Sequence, residues 1–167
     1  MQRRAAKQLT NYAQAYDYAL VRLSYRDYSE KDLERLLRQH ACPQEVIGEV
    51  LAKLKEYSLL DDARYADKVY AAWLAKKYYG INHLRMELKK KNVSDELSAK
   101  ITASFSEDMD LERAIDAGKN WQKKNDKKYG LNDKDGSSRL ARALFARGFN
   151  GNVIRKALNR LGRECSE

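Results

Sequence analysis

Asp61 and Asp62 stand side by side in the stretch LLDDARYADKVY, and adjacent carboxylates are the residue type that could hold a divalent cation for phosphodiester chemistry. Such a site needs further oxygen ligands converging from elsewhere, and no suitably spaced carboxylates accompany this pair. The pair heads an apolar helical pattern, where an acid satisfies free N–H groups and meets the positive end of the helix dipole; capping is the reading adopted. His40 and His83 are the only histidines, and neither belongs to a metal-ligand spacing. Cys42 and Cys165 form no motif, and Cys42 falls at a packing position of a repeat described below. There is no P-loop signature and no G-x-G-x-x-G, so no loop to cradle a nucleotide's phosphates. The expectation is a chain that is not an enzyme, with no catalytic residues, no metal and no cofactor.

The basic residues are more informative. From Arg64 to Lys91 there are eight Lys or Arg against Asp67 and Glu87, so this segment carries +6 of the formal +9 of the chain. Ile81, Leu84 and Leu88 form one apolar stripe, which at 100° per residue turns Arg85, Met86, Lys89 and Lys90 outward. An exposed Met among three cations points to a contact surface, against the plainer reading of a solvated helix face. Lys76 and Lys77 end the preceding helix, with Tyr78 and Tyr79 beside them. Interleaved Tyr and Lys could grip single-stranded bases, while aromatic packing of the helix end explains them equally well. The positive balance points to a polyanionic partner: nucleic acid, a nucleoprotein or an acidic protein face.

The elements that carry these residues read as helices throughout. A single Pro and 34% charged residues disfavour a fold of many turned strands. Ala63, Ala66, Val69, Tyr70 and Trp73 make one helical stripe, and Gly80 is expected to supply the turn before the next helix. Upstream, Asn11 to Leu23 reads as a helix with a stripe from Tyr12 to Leu23. Ser29 and Asp32 resemble a capping box for a second, and Pro43 suits the first turn of a third.

A repeat then organises the whole chain. Leu33, Leu37, Cys42, Val46, Val50 and Leu54 map onto Leu84, Leu88, Val93, Leu97, Ile101 and Phe105 at an offset of 51. A further offset of 56 gives Leu140, Leu144, Phe149, Val153, Ala157 and Leu161. Asn92 and Gly148 occupy one junction in two copies, where a left-handed residue ends a helix; Ala41 stands there in the first copy, so a different turn is expected. Ser94 and Asn150 follow as N-caps, and Phe149 with Ile154 suits a hydrophobic staple. Trp73 and Trp121 correspond at an offset of 48, as do Ala66 and Ala114.

The expected architecture is all-α: three tandem three-helix repeats forming an elongated, curved molecule. The divisions are a flexible basic N-terminus at 1–10, repeats at 11–57, 58–106 and 107–162, a charged loop at 124–136 within the third, and a polar tail at 163–167. No apolar run approaches the roughly 20 residues of a membrane span, and MQRRAAKQLTNY lacks the apolar centre of a signal peptide. With few thiols, a cytoplasmic protein with no membrane partner is expected.

Four stretches carry a resemblance to the RecX family of bacterial regulatory proteins: YALVRLSYRDYSEKDLERLL (Tyr18 to Leu37), LLDDARYADKVY (Leu59 to Tyr70), YGINHLRMELKKKNV (Tyr79 to Val93) and RGF (Arg147 to Phe149). The family usually has Gly-Tyr or Gly-Leu where Ser58-Leu59 stands, and Lys-Gly where Lys91-Asn92 stands. The resemblance implies tandem three-helix units and a modulator that binds the RecA recombinase. Such a modulator lies along the groove of its nucleoprotein filament and inhibits ATP hydrolysis and strand exchange, within recombination, DNA repair and the SOS response. Single- or double-stranded DNA would then be met within the filament, by a monomer. The candidate contact set is Arg26, Arg64, Lys76, Lys77, Arg85, Lys89 and Lys90, of which Arg26, Arg64 and Arg85 stand inside the matching stretches and the rest follow from charge. Two other classes remain: a helix-turn-helix-type protein acting directly on DNA, and a helical adaptor independent of nucleic acid.

Overall fold

The computed structural model of the chain describes residues 8–125 and 134–164. The flexible N-terminus expected over the first residues, the centre of the charged loop at 126–133 and the tail from 165, with Cys165, lie outside the described residues. Among the described residues there are nine helices and no strand: α1 (Tyr12–Tyr25), α2 (Glu30–Gln39), α3 (Gln44–Glu56), α4 (Asp62–Leu74), α5 (Ile81–Lys90), α6 (Asp95–Thr102), α7 (Glu107–Asn125), α8 (Lys134–Ala146) and α9 (Gly151–Glu164).

Helix starts follow the polar residues that accept from free N–H groups. The Asn11, Ser29, Asp61 and Ser94 side chains accept from Gln14, Asp32, Arg64 and Leu97 N–H, and Asn150 Oδ1 accepts from Val153 N–H at 2.8 Å. Asp32 does not close a capping box back on Ser29; its Oδ1 lies 3.0 Å from Arg35 Nη2. Pro43 sits one residue earlier than expected, as the N-cap of α3.

The helices pack three by three: α1 with α2 and α3, α4 with α5 and α6, α7 with α8 and α9. Each triplet has its own apolar centre. Leu33, Leu37, Val50 and Leu54 fill the first, Ala66, Trp73, Leu84 and Leu88 the second, and Leu140, Leu144, Phe149 and Leu161 the third. The tandem all-α repeat is thus a row of three small cores.

Three expectations about punctuation change. Gly80 is not a left-handed turn residue, for its φ is −82°. A Cβ there would lie 2.6 Å from Gly148 O and from Phe149 Cδ1, so what it permits is the approach of the third unit to the second. Ala41 does not turn differently from its equivalents: φ is +54° at Ala41, +56° at Asn92 and +84° at Gly148. In each, the following N–H bonds back to the buried leucine five residues earlier: Cys42 to Leu37 O, Val93 to Leu88 O, and Phe149 to Leu144 O. Helix-ending geometry overrides the preference of the alanine. Finally, Lys124, Asn125 and 134–136 are helical, so the two flanks of the expected loop belong to α7 and α8.

Candidate functional site

The units meet at two junctions built on one plan. A carboxylate from the first turn of the incoming unit's long helix caps the second helix of the unit before it. Asp62 Oδ1 accepts from Glu30 N–H at 2.8 Å, and Asp110 Oδ1 accepts from Ile81 N–H at 3.0 Å. Asp61 therefore caps its own helix while Asp62 caps a neighbour's. Burial raises the pKa of both Asp62 and Asp110, against the lowering effect of the N–H each receives.

The second junction is closed by backbone. Gly80 N–H donates to Arg147 O at 2.9 Å and Asn82 N–H to Gly148 O at 3.1 Å. Arg113 lays its guanidinium 4.3 Å from the Trp73 ring centroid and donates to the Tyr79 carbonyl at 3.0 Å and to those of Lys76, Leu74 and Trp73. Burial lowers its pKa, with Asp110 opposing. The Tyr79 ring lies 4.2 Å from that of half-buried His83 and tilted 47° to it, and burial lowers the pKa of His83.

The first junction is held by side chains and stays open. Asn92 Nδ2 donates to Asp32 Oδ1 at 2.8 Å, and Lys68 pairs with Asp27 at 2.7 Å. Beside these contacts runs a groove. One half, about 450 Å³, lies between the units and is lined by Arg26, Asp32, Arg35, Tyr65, Glu87, Lys90, Lys91 and Asn92. Its continuation shares Tyr65, Glu87 and Lys91 and runs between α4 and α5 past Lys68, Val69, Ala72, Trp73 and Lys76. Six cations face two carboxylates along it, and Asp32 is already engaged by Arg35 and Asn92. Arg26 leans on the Tyr28 ring at 4.0 Å, and a hydrogen bond with that Tyr raises its pKa.

Of the residues nominated from sequence, Arg26, Lys76 and Lys90 line this groove. Arg64, Lys77, Arg85 and Lys89 do not. Arg64 Nη2 donates to Ser58 O at 2.9 Å and ties the α3–α4 corner, and Arg85 Nη1 donates to Asn82 Oδ1 on the outer side of α5. Lys89 and Met86 are exposed on that same helix. Lys77 lies in a separate cleft with Tyr78, Asp116, Lys119, Asn120 and Lys123. Among the groove residues outside the candidate set are Arg35, Tyr65, Lys68, Glu87 and Lys91. Among the described residues no group of three or more His, Cys, Asp or Glu could hold a metal ion, and no helix is long and apolar enough to cross a membrane.

A family model described as RecX, first three-helix domain, matches residues 15–54. Proteins named Regulatory protein RecX are similar over most of the chain. That of Bacillus pumilus is 30% identical over 147 residues, which is 88% of this chain and 53% of the relative. That of Bacillus velezensis is 32% identical over 145 residues, 86% of this chain and 54% of the relative. The chain spans about half the length of these curated relatives. A crystal structure of RecX from Lactobacillus salivarius superposes with a TM-score of 0.78 at 19% identity, covering 90% of this chain and 96% of that one. The last agreement is one of fold.

Proposed function

The chain belongs to the RecX family, and from that premise we propose that it is a cytoplasmic regulatory protein that binds the RecA nucleoprotein filament as a monomer. In this reading it restrains the filament's ATP hydrolysis and strand exchange and performs no chemistry of its own. The observation that carries the reading is the groove at the first junction. It is concave, it draws cations from α2, α4 and α5 and from the end of α1, and its positive excess suits a filament of DNA and acidic protein surface. Contacts spread over two units fit a partner that is itself extended.

The test is a sedimentation pull-down of the purified chain with RecA filaments, free RecA and bare DNA, paired with RecA's DNA-dependent ATP hydrolysis. Preference for the filament over both separate components, with inhibition of hydrolysis, is expected. Equal recovery on bare duplex without inhibition assigns the chain to direct DNA binding instead. Hydrolysis of ATP or nicking of DNA by the chain alone contradicts a purely regulatory role.

A further inference from the structure

The groove's two halves differ in chemistry, and the difference selects among polyanions. The end between the units is charged, with Arg26, Arg35, Lys90 and Lys91 around Tyr65. The end between α4 and α5 has an apolar floor of Val69, Ala72 and Trp73 inside a rim of Lys68, Lys76 and Lys91. A nucleic-acid strand gripped in such a place needs aromatic faces on which bases stack. Here Trp73 is 1% exposed with Arg113 over its ring, and Tyr65 is 7% exposed with Lys91 5.6 Å from its ring centroid. Both faces are taken. Glu87 also stands at the overlap of the two halves, where it repels a continuous phosphate backbone but tolerates a peptide whose charges are spaced.

We infer that the groove binds an acidic peptide segment of a partner protein, with apolar side chains seated over exposed Ala72, which caps buried Val69 and Trp73, and carboxylates paired to the rim from Lys76 to Lys90 and Arg26. Charge complementarity sets the sign of the partner, and the apolar floor sets its class. Anchors four residues apart on an amphipathic helix would lie along the floor between α4 and α5. The inference rests on the regulatory reading only in placing this segment on the protein component of the filament rather than on its DNA.

The experiment measures fluorescence anisotropy of three labelled probes with the full chain. One is a twelve-residue peptide of Glu alternating with Ser, carrying Phe and Leu four positions apart. The second has both apolar residues replaced by Ser, and the third is a twelve-nucleotide oligothymidylate. The anchored peptide is expected to bind at least tenfold more tightly than either comparator. Ala72→Glu, on an exposed part of the floor, and Lys76→Glu with Lys90→Glu should each weaken it at least tenfold while circular dichroism stays unchanged. Equal binding of the two peptides, or tighter oligothymidylate binding that Ala72→Glu abolishes, overturns the inference. Filament binding by the same proteins separates the two readings. A parent that binds filaments, loses them with Ala72→Glu and ignores the peptide keeps the regulator and refutes the peptide. A parent that binds the peptide in the groove but no filament keeps the peptide and refutes the regulator.

Discussion

The two junctions occupy the same register of the repeat and are made of different material. Asp62 and Asp110 correspond at an offset of 48, and the N–H groups they cap, on Glu30 and Ile81, correspond at 51. Beyond that shared bond they diverge. At the second junction the third unit approaches until Gly148 and Gly80 touch through backbone, Asp110 is 1% exposed and Arg113 bridges four carbonyls. At the first, Asn92 and Asp32 stand where Gly148 and His83 stand at the second, and side chains hold the units apart. The separation leaves the groove. One joint is filled by main chain and the other is left open, and the change from Gly to Asn at one position of the repeat accompanies the difference. The outer end of the first unit is sealed in a third way: Leu9 N–H donates to His40 O, the carbonyl equivalent to that of Arg147. The segment before α1 thus makes the bond to the first unit that Gly80 makes to the third.

The strongest way to break this comparison is at the tight joint. Gly148→Ala forces an alanine to φ +84° and sets its Cβ 2.4 Å from His83 N. Left-handed strain and overpacking together should destabilise the chain by about 2–4 kcal/mol. Asn92→Gly at the open joint keeps the turn and loses only the bond to Asp32, a change of about 1 kcal/mol or less. Urea denaturation of both decides it, and equal losses would mean the joints are alike.

The capping carboxylates give a smaller contrast. Asp110→Ala should cost about 1–2 kcal/mol and Asp62→Ala, which is less buried, about 0.5–1 kcal/mol. Acidity sharpens it. Burial holds the Asp110 carboxyl above the ordinary carboxylate range, so the folded chain binds a proton there more readily than the unfolded chain. Stability attached to this group is lost as pH rises through the raised value and regained as pH falls toward the ordinary range. Asparagine does not titrate. The stability gap between the parent and Asp110→Asn should therefore move in the parent's favour on acidification from neutral pH toward the ordinary carboxylate range. A gap independent of pH would place Asp110 in contact with solvent.

The smallest expected effect lies at the Ala41 turn of the first unit. Ala41 is exposed at φ +54°, so Ala41→Gly relieves strain without touching a neighbour. A gain of about 0.5–1 kcal/mol is expected, read as a raised thermal midpoint. A loss would show that the alanine side chain has a packing role.

Much of the fold was legible because helices and caps are local. The stripes of Leu33, Leu84 and Leu140 and the caps at Ser29, Ser94 and Asn150 depend on spacings of a few residues, which the sequence displays directly. The positive φ at Ala41 was also within reach, since the offsets equate it with Asn92 and Gly148; residue preference argued the other way and tertiary register prevailed. The groove was legible only in part. Arg26, Lys76 and Lys90 were found as charges, but Asp32 and Asn92 are 60 positions apart in sequence and meet only when two units pack. Nothing in the sequence distinguishes Arg113 from the other cations of α7. The offset of 48 that pairs Asp62 with Asp110 was the available signal for the second joint, and it identifies the capping acid without revealing the bridge beside it.

A charge-matched comparison of filament binding decides whether the groove is the binding site. Arg26→Glu with Lys90→Glu reverses two charges in the groove, and Arg142→Glu with Arg155→Glu reverses two exposed charges in the third unit. Both proteins change net charge equally, so a partner held by overall charge cannot tell them apart. Affinity for RecA filaments, measured by sedimentation across a salt series, should fall at least tenfold for the groove variant and stay within about threefold of the parent for the other. Equal losses, or a larger loss from the third unit, would contradict the groove as the site of binding.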